Sequence, residues 1–544
     1  MRRACGLLLT LLVAVKLQGS PEGRTILVFP FENRSTRSDL NWISESFAEI
    51  LSSRLAGPDN YVLDREERNT ACVQLSIPPE IPLTLASAYK VTQVLGADWA
   101  VVGSYSVTTS RLTARAQLLD VRQLKLAPAL EVTGELAELD DLQTRLAWRL
   151  LATHDPGFTV GKEEDFRRRF PEIRLDAFEN YIRGVLATDD ESRVRFFLES
   201  DRLNPADHRA AFAFGRLYYD QKDYGNSAKW LRKLEATDAN YLESLFLLAV
   251  DEFFLGHQQA AKQAFETLAK ELPLNEVSNN LGVLKARRGR YAEALPSFER
   301  AFQGDPTDPD FAFNLGVCLW YLNRFAESAQ YLREALRANN EDAEAHTLLA
   351  MVLGKLGDSP GQRAELQWLA EHGNDLGADL AGDILPQARL KKNYDGRALR
   401  LLSLTLHNAL EERLANLPAD QHSDVHLGRG KKFFAEGRFP EAEHELAEAV
   451  SLVPGDSEAR LALAQVLEAE GKHGEAAAEL EKSLQLKNSF AAHLSLARVY
   501  LSLNQPDLAR EQGQAALQLD PGNQEAEQLI DRIRAATADS RKTP

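Results

Sequence analysis

The sequence predicts an α/β domain with a mixed sheet followed by an all-α superhelix of stacked helical hairpins, an α-solenoid. Two observations carry this expectation. Residues 24–152 alternate short apolar runs with amphipathic stretches, and beyond Pro156 the pattern is helical throughout and repeats every 34 residues. Leu281-Gly282 returns as Leu315-Gly316, Tyr291 as Phe325, and Ala301 as Ala335. The length of 544 residues corresponds to roughly three to five ordinary domains, or fewer where part of a chain is a repeat array. With 44% hydrophobic and 26% charged residues the chain has ample material for folded cores.

The first twenty residues, MRRACGLLLTLLVAVKLQGS, place Arg2 and Arg3 ahead of an apolar run from Gly6 to Val15. That run is too short to span a bilayer comfortably, so residues 1–20 are expected to be a secretory signal peptide, with an uncleaved N-terminal anchor as the other reading. No cysteine follows the run, so a lipoprotein is not expected, and no later stretch holds eighteen consecutive apolar residues. Residues 24–31, RTILVFPF, read as a strand buried on both faces. Leu40, Ile43, Phe47, Ile50, Leu51 and Leu55 then form the stripe of a helix packed on the sheet. Tyr61-Val62-Leu63 is a short second strand, residues 83–95 a helix closed by Gly96, and residues 99–103 a third strand. Alternation at Leu112, Ala114, Ala116 and Leu118, and again near residues 130–132, predicts antiparallel strands before a last helix over 140–151. The words ILVFPFEN, GADWAVVGSY and TARAQLLDV, in this order, resemble the N-terminal domain of TolB and the related FlgO-like envelope domains over residues 24–152. The resemblance implies a non-catalytic domain associated with bacterial envelope complexes.

The 34-residue period is that of the tetratricopeptide repeat. Its pattern of small and aromatic positions is met by Phe214-Gly215-Tyr218, by Phe265 with Pro273, and by Ala294-Phe298-Ala301-Pro306. Later it recurs in Ala442-Leu446-Ala449-Pro454, Ala476-Leu480-Ser483 and Tyr500-Ala509-Ala516-Pro521. Gly282, Gly316, Ala294 and Ala301 let the two helices of a repeat approach closely, and stacking then buries apolar faces that one repeat cannot bury alone. A first array is expected over 174–376, with degenerate copies at 174–207 and 343–376. A second is expected over 423–523, and a capping helix over 524–535 with a frayed tail after it. Between the arrays, residues 377–422 are expected to be a connecting helical segment, because Leu399, Leu402, Leu406, Leu410, Arg413 and Leu417 keep helical spacing from Tyr394 onward.

A formal net charge of −17, from 63 Lys+Arg against 80 Asp+Glu, argues against a nucleic-acid partner. Three cysteines, Cys5, Cys72 and Cys318, cannot form a disulfide framework or a four-cysteine zinc site. No phosphate-cradling, dinucleotide or nucleophile-elbow motif stands in a strand-turn-helix setting. In His444-Glu445 the position of a second zinc ligand is Glu448, and His422 with His426 lacks a third ligand, so no metal and no cofactor are expected. Glu163-Glu164 and Asp189-Asp190 read as solvated charge.

In tetratricopeptide proteins the first helix of each repeat lines a concave groove. Carried over by the resemblance, the groove positions are Phe212, Arg216 and Tyr219, then Phe246, Val250 and Phe253. The next two repeats supply Asn279, Asn280, Val283 and Arg287, and then Phe313, Asn314, Val317 and Trp320. Asn280 and Asn314 occupy the same position of consecutive repeats, where an amide can both donate to and accept from the backbone of an extended peptide. Half of the aromatics are expected to pack against the next repeat instead. Few of these positions are basic, so a clamp for a terminal carboxylate is not expected. The implied function is an exported, non-catalytic scaffold, periplasmic or secreted, that binds proteins or extended peptides; the oligomeric state stays open. One alternative is an enzyme or small-ligand domain, for which Asn33, Asp64 and Ser104 are the candidates at strand ends. The other is a membrane-anchored regulatory scaffold facing the cytoplasm.

Overall fold

The computed structural model describes residues 24–57, 59–78, 83–154, 162–167, 170, 173–236, 238–372, 386–435, 437 and 439–540. The expected signal peptide lies outside them. The chain divides into two compact units, Met1–Leu406 and His407–Pro544.

The first unit opens with a sheet of seven strands. These are β1 (Arg24–Val28), β2 (Glu32–Asn33), β3 (Asn60–Leu63), β4 (Trp99–Thr108), β5 (Arg111–Asp120), β6 (Lys125–Leu126) and β7 (Leu130–Glu135). The path β3-β1-β4-β5-β6 is parallel across β3, β1 and β4 and antiparallel from β4 onward, with β7 also paired to β5. It is a mixed sheet. Ile26, Leu27 and Val28 are all buried, as a strand covered on both faces requires. Four helices accompany it: α1 (Trp42–Leu55), α2 (Arg65–Gln74), α3 (Leu85–Val94) and α4 (Leu139–His154). The stripe Ile43, Phe47, Ile50 and Leu51 of α1 packs with Leu142, Leu146 and Leu150 of α4 in the main core. The sequence reading did not anticipate α2. Its strongest local signal is a capping box, in which the Asp64 carboxylate accepts from the Glu67 amide while Glu67 accepts from the Asp64 amide.

After a short helix α5 (Glu163–Arg167), six helical hairpins follow among the described residues. They pair α6 (Leu175–Leu186) with α7 (Asp190–Leu203), α8 (Arg209–Asp220) with α9 (Tyr224–Leu231), and α10 (Tyr241–Phe254) with α11 (Gln258–Glu271). Then come α12 (Asn275–Ala286) with α13 (Tyr291–Gly304), α14 (Pro309–Tyr321) with α15 (Phe325–Ala338), and α16 (Ala343–Leu356) with α17 (Ser359–Glu371). Glycines set the spacing within hairpins. A Cβ on Gly282 would stand 2.7 Å from the Phe298 ring, and one on Gly316 would stand 2.7 Å from Leu332 Cγ. The first hairpin also closes the sheet domain: Phe178 and Ile182 of α6 belong to its main core, and Arg183 donates to the Asp39 carbonyl at 2.9 Å.

Of the connecting segment expected over 377–422, residues 377–385 lie outside the described residues, the helix read from Tyr394 onward is present, and the stretch ahead of it departs from the expectation. Residues 386–395 form neither helix nor strand, and α18 (Gly396–Ala415) begins only after them. The reason is where their backbone bonds. The amide and carbonyl groups of Arg389 and Lys391 pair sideways with asparagine side chains of the first array, so they are not available to a helix.

The second unit holds α19 (Ala419–Ala435) with α20 (Phe439–Leu452), α21 (Ser457–Ala469) with α22 (His473–Leu486), α23 (Phe490–Ser502) with α24 (Pro506–Leu519), and a final α25 (Gln524–Ser540). Its first repeat helix starts four residues before the expected boundary, and its last helix extends five residues beyond the expected cap. A Cβ on Gly430 would meet Leu446 Cγ at 2.5 Å, the same close approach as in the first array.

One buried group makes stability depend on pH. Asp251 on α10 is wholly buried, and neither carboxyl oxygen has a hydrogen-bond partner among the described residues. Burial pushes it up to about 7. The folded protein therefore holds a proton there that the unfolded chain releases above its ordinary carboxylate pKa, so stability falls between about pH 4 and 7, by up to about 1.4 kcal/mol per unit. Asp251→Asn should flatten this part of the pH profile and raise the urea midpoint at pH 8, but not at pH 4.

Candidate functional site

The first helices of the repeats present α8, α10, α12 and α14 along one groove, and the chain's own residues 388–394 lie in it. Asn314 Oδ1 accepts from the Arg389 amide at 2.6 Å, and its Nδ2 donates to the Arg389 carbonyl at 2.8 Å. Two residues on, Asn280 Oδ1 accepts from the Lys391 amide at 2.8 Å and its Nδ2 donates to the Lys391 carbonyl at 2.9 Å. Each amide thus closes a two-bond pair with one residue, as a neighbouring strand would, and alternate residues of an extended chain present these groups to the same side. Asn279 completes the row. Its Nδ2 donates to the Arg389 carbonyl at 3.1 Å and its Oδ1 accepts from Asn314 at 2.7 Å. All three asparagines are fully buried, so these bonds satisfy amides that would otherwise be costly to leave unpaired. The Tyr219 hydroxyl donates to the Lys392 carbonyl.

Side chains of the segment meet acidic residues that cap the repeat helices. The Arg389 guanidinium makes a two-pronged contact with Asp342, reaches Glu344 at 2.7 Å and Asp310 at 3.2 Å, and lies 3.6 Å from the centre of the Phe313 ring. Lys391 Nζ stands 2.7 Å from Asp308 and 3.0 Å from Asp310. Burial alone would raise the Asp342 carboxyl, but the bond to Arg389 outweighs it and holds the group below its usual value. Burial likewise pulls the Lys391 ammonium down, and its bonds to Asp308 and Asp310 reverse the shift. Between the two cations, Leu390 packs on the apolar clusters of the neighbouring repeats. Beyond them the Tyr394 ring lies 4.9 Å from Phe246, and its hydroxyl donates to Glu243 at 3.3 Å.

From there α18 runs onto the sheet domain. Arg400 bridges Glu243 of the array at 3.0 Å to Asp64 at 2.9 Å and Glu67 at 3.1 Å. Leu401 and Leu404 pack on the smaller cluster of that domain.

The predicted groove residues therefore fall into separate groups. Tyr219, Phe246, Asn279, Asn280, Phe313 and Asn314 touch the segment. Val250, Val283 and Val317 are buried in the repeat cores. Arg216 pairs with Glu66 at 3.1 Å, Arg287 is exposed with its guanidinium 5.7 Å from the Phe253 ring, and Phe212 packs at the edge of a core cluster. Trp320 is half-buried, its ring tilted against Phe325 at 5.3 Å. The sequence reading missed the acidic wall of Asp308, Asp310, Asp342 and Glu344, and it missed the occupant. Both carried a signal: acidic residues at the starts of α14 and α16, and the basic run Arg389-Leu390-Lys391-Lys392.

The candidates for the alternative enzymatic reading sit apart. Asp64 caps α2 and pairs with Arg400, Asn33 bonds the Arg37 carbonyl and Asn41, and Ser104 is buried in β4. In the second unit His426 contacts His422 at 3.0 Å and Glu445 at 2.8 Å, and no cluster of three metal-ligating residues occurs among the described residues.

Family models agree with the repeat architecture. One tetratricopeptide-repeat family model matches residues 286–352, and a second matches residues 246–309, 427–489 and 487–539. The TPR repeat-containing thioredoxin TTL4 of Arabidopsis thaliana is 32% identical over 98 residues, covering 18% of this chain and 14% of that protein. Protein IFIT1 homolog B of Homo sapiens is 22% identical over 247 residues, covering 42% of this chain and 44% of that protein. The chain thus spans less than half the length of each of these curated relatives. A tetratricopeptide repeat protein from Parabacteroides merdae is a similar solved structure, with 15% identity and a TM-score of 0.24, covering 54% of this chain and 98% of that one. The helical hairpins matched in both units are tetratricopeptide repeats.

Proposed function

We propose that the chain is an exported, non-catalytic scaffold of the bacterial cell envelope that binds other proteins, or extended peptides of them, through its repeat arrays. The observation that carries the binding role is the row of asparagines, which holds an extended segment by its backbone and so reads a peptide chain as such. Export rests on the signal-like residues 1–20 and on the resemblance of residues 24–152 to TolB-type envelope domains. The absence of catalysis is supported by the separate structural tasks of Asn33, Asp64 and Ser104.

Two measurements test this reading. Alkaline phosphatase fused to the C-terminus should be active in cells and lose activity when residues 1–20 are deleted; an inactive fusion of full length contradicts export. A photo-crosslinking amino acid placed at Trp320 or at the exposed Lys431 should capture discrete partner proteins in the envelope fraction. No partner from either array would contradict the scaffold.

A further inference from the structure

Residues 388–394 are held as a ligand would be. Among the described residues they form no backbone–backbone hydrogen bond, and the polar backbone groups of Arg389 and Lys391 bond to asparagine side chains. The contacts that depend on side-chain identity form a short code. One acidic pocket, of Asp310, Asp342 and Glu344, takes the guanidinium, and a second, of Asp308 and Asp310, takes the ammonium two residues later. The spacing follows from the extended chain, in which residues i and i+2 lie on one face and i+1 on the other. That opposite position is Leu390, set on apolar surface. Without the segment, the acidic groups would lose their cations and the buried asparagines their backbone partners. Ala388, Leu390 and Tyr394 pack on the apolar clusters of the repeats, and the contacts of Arg389 and Lys391 with the array are hydrogen bonds and ion pairs.

From this we infer that the groove of the first array is a receptor for extended segments of partner proteins carrying a basic-apolar-basic triplet, and that Arg389-Leu390-Lys391 is a resident copy that such a partner displaces. The inference rests on the reading of the arrays as partner-binding surfaces and names the partner's chemistry. The tethered copy acts at an effective concentration on the order of millimolar, so it sets a threshold that only a well-matched or multiply attached partner passes.

The test uses the full chain and a fluorescent synthetic peptide of sequence PQARLKKNYD, that of residues 386–395. Arg389→Ala combined with Lys391→Ala weakens the resident copy while leaving the groove intact. This variant should bind the peptide about tenfold more tightly than the natural chain, because the competitor is weakened. The same peptide with glutamate in place of its arginine should bind neither. Equal affinity for both chains, or no binding to a variant with the natural circular dichroism spectrum, would overturn the inference. If the variant does not fold, the natural chain answers: about 1 mM unlabelled peptide should speed hydrogen exchange at the Arg389 and Lys391 amides, and unchanged exchange would overturn the inference. Failure here with partners still captured at Lys431 would remove the basic triplet and leave the scaffold standing.

Discussion

Arg389→Glu should expel residues 388–394 from the first groove. The new carboxylate would face Asp310, Asp342 and Glu344 in place of the guanidinium that now neutralises them, and Asp342 is only 8% exposed. Removing one partner of a hydrogen-bonded charge pair that is largely buried costs about 2–5 kcal/mol, and reversing its sign adds repulsion. A cost of about 3 kcal/mol would raise the open population roughly a hundredfold. Trypsin reads this directly, because Lys391 and Lys392 follow the substituted residue: cleavage after them should accelerate by about the same factor when opening is fast relative to cutting. Asn280→Ala with Asn314→Ala should act in the same direction without any change of charge, since it removes four backbone bonds. Unchanged cleavage in both variants would show that neither interaction holds the segment.

Gly316→Leu should be the most damaging single change within the repeats. A Cβ alone would come 2.7 Å from Leu332 Cδ2 and Cγ, and both Gly316 and Leu332 are buried between α14 and α15. Leu332 can yield slightly to a methyl group, but not to a whole leucine. Overpacking of this kind costs about 1–3 kcal/mol, and more where the helices must part. The hydrogen bond from the Ser328 hydroxyl to the Gly316 carbonyl, 2.7 Å, would be strained as well. Because each repeat is stabilised by its neighbours, the loss should spread to the adjoining hairpins and with them to the asparagine row on α12 and α14. Thermal melting followed by far-ultraviolet circular dichroism should shift down by several degrees, and Gly316→Ala should fall in between. A melting curve identical to that of the natural chain would contradict the packing described for this hairpin.

The sequence made the repeats legible because their signals are local and recur. The glycine at 282 and again at 316, with a large residue sixteen positions later at Phe298 and Leu332, marks a close helix pair without any knowledge of the whole. The shared position of Asn280 and Asn314 was legible for the same reason, and so was their capacity to hold a peptide backbone. What fills the groove was not. Residues 388–394 have no periodicity, and their partners stand 75 to 111 positions away in the chain, at Asn314 and Asn280. The leucines from 399 onward suggested helix back to Tyr394, and nothing local showed that the backbone of Arg389 and Lys391 would bond to another element. In the sheet domain α2 shows no apolar stripe in the sequence because it buries little beyond Arg68, Ala71 and Cys72. Its start, Asp64 with Glu67, carries a capping signal, but Asp64 equally fits a polar residue at a strand end. The burial of Asp251 was equally hidden, since an aspartate within a repeat helix reads as a solvent-facing residue until its neighbours are known.

Occupation of the first groove by the chain's own residues 388–394 can be read from a zero-length crosslink. A carbodiimide joins an ammonium and a carboxylate only where they touch, and Lys391 Nζ lies 2.7 Å from Asp308 and 3.0 Å from Asp310. The natural full chain, treated dilute as a mixture of unlabelled and nitrogen-15-labelled protein and then digested, should yield a Lys391–Asp308 or Lys391–Asp310 peptide pair. Its two peptides should be both unlabelled or both labelled, never one of each, as a crosslink within one molecule requires, and the pair should disappear in Asn280→Ala with Asn314→Ala. Lys391 joined to neither aspartate while other ion pairs of the array, such as Lys233 with Asp201 at 2.7 Å, are crosslinked would contradict this occupation.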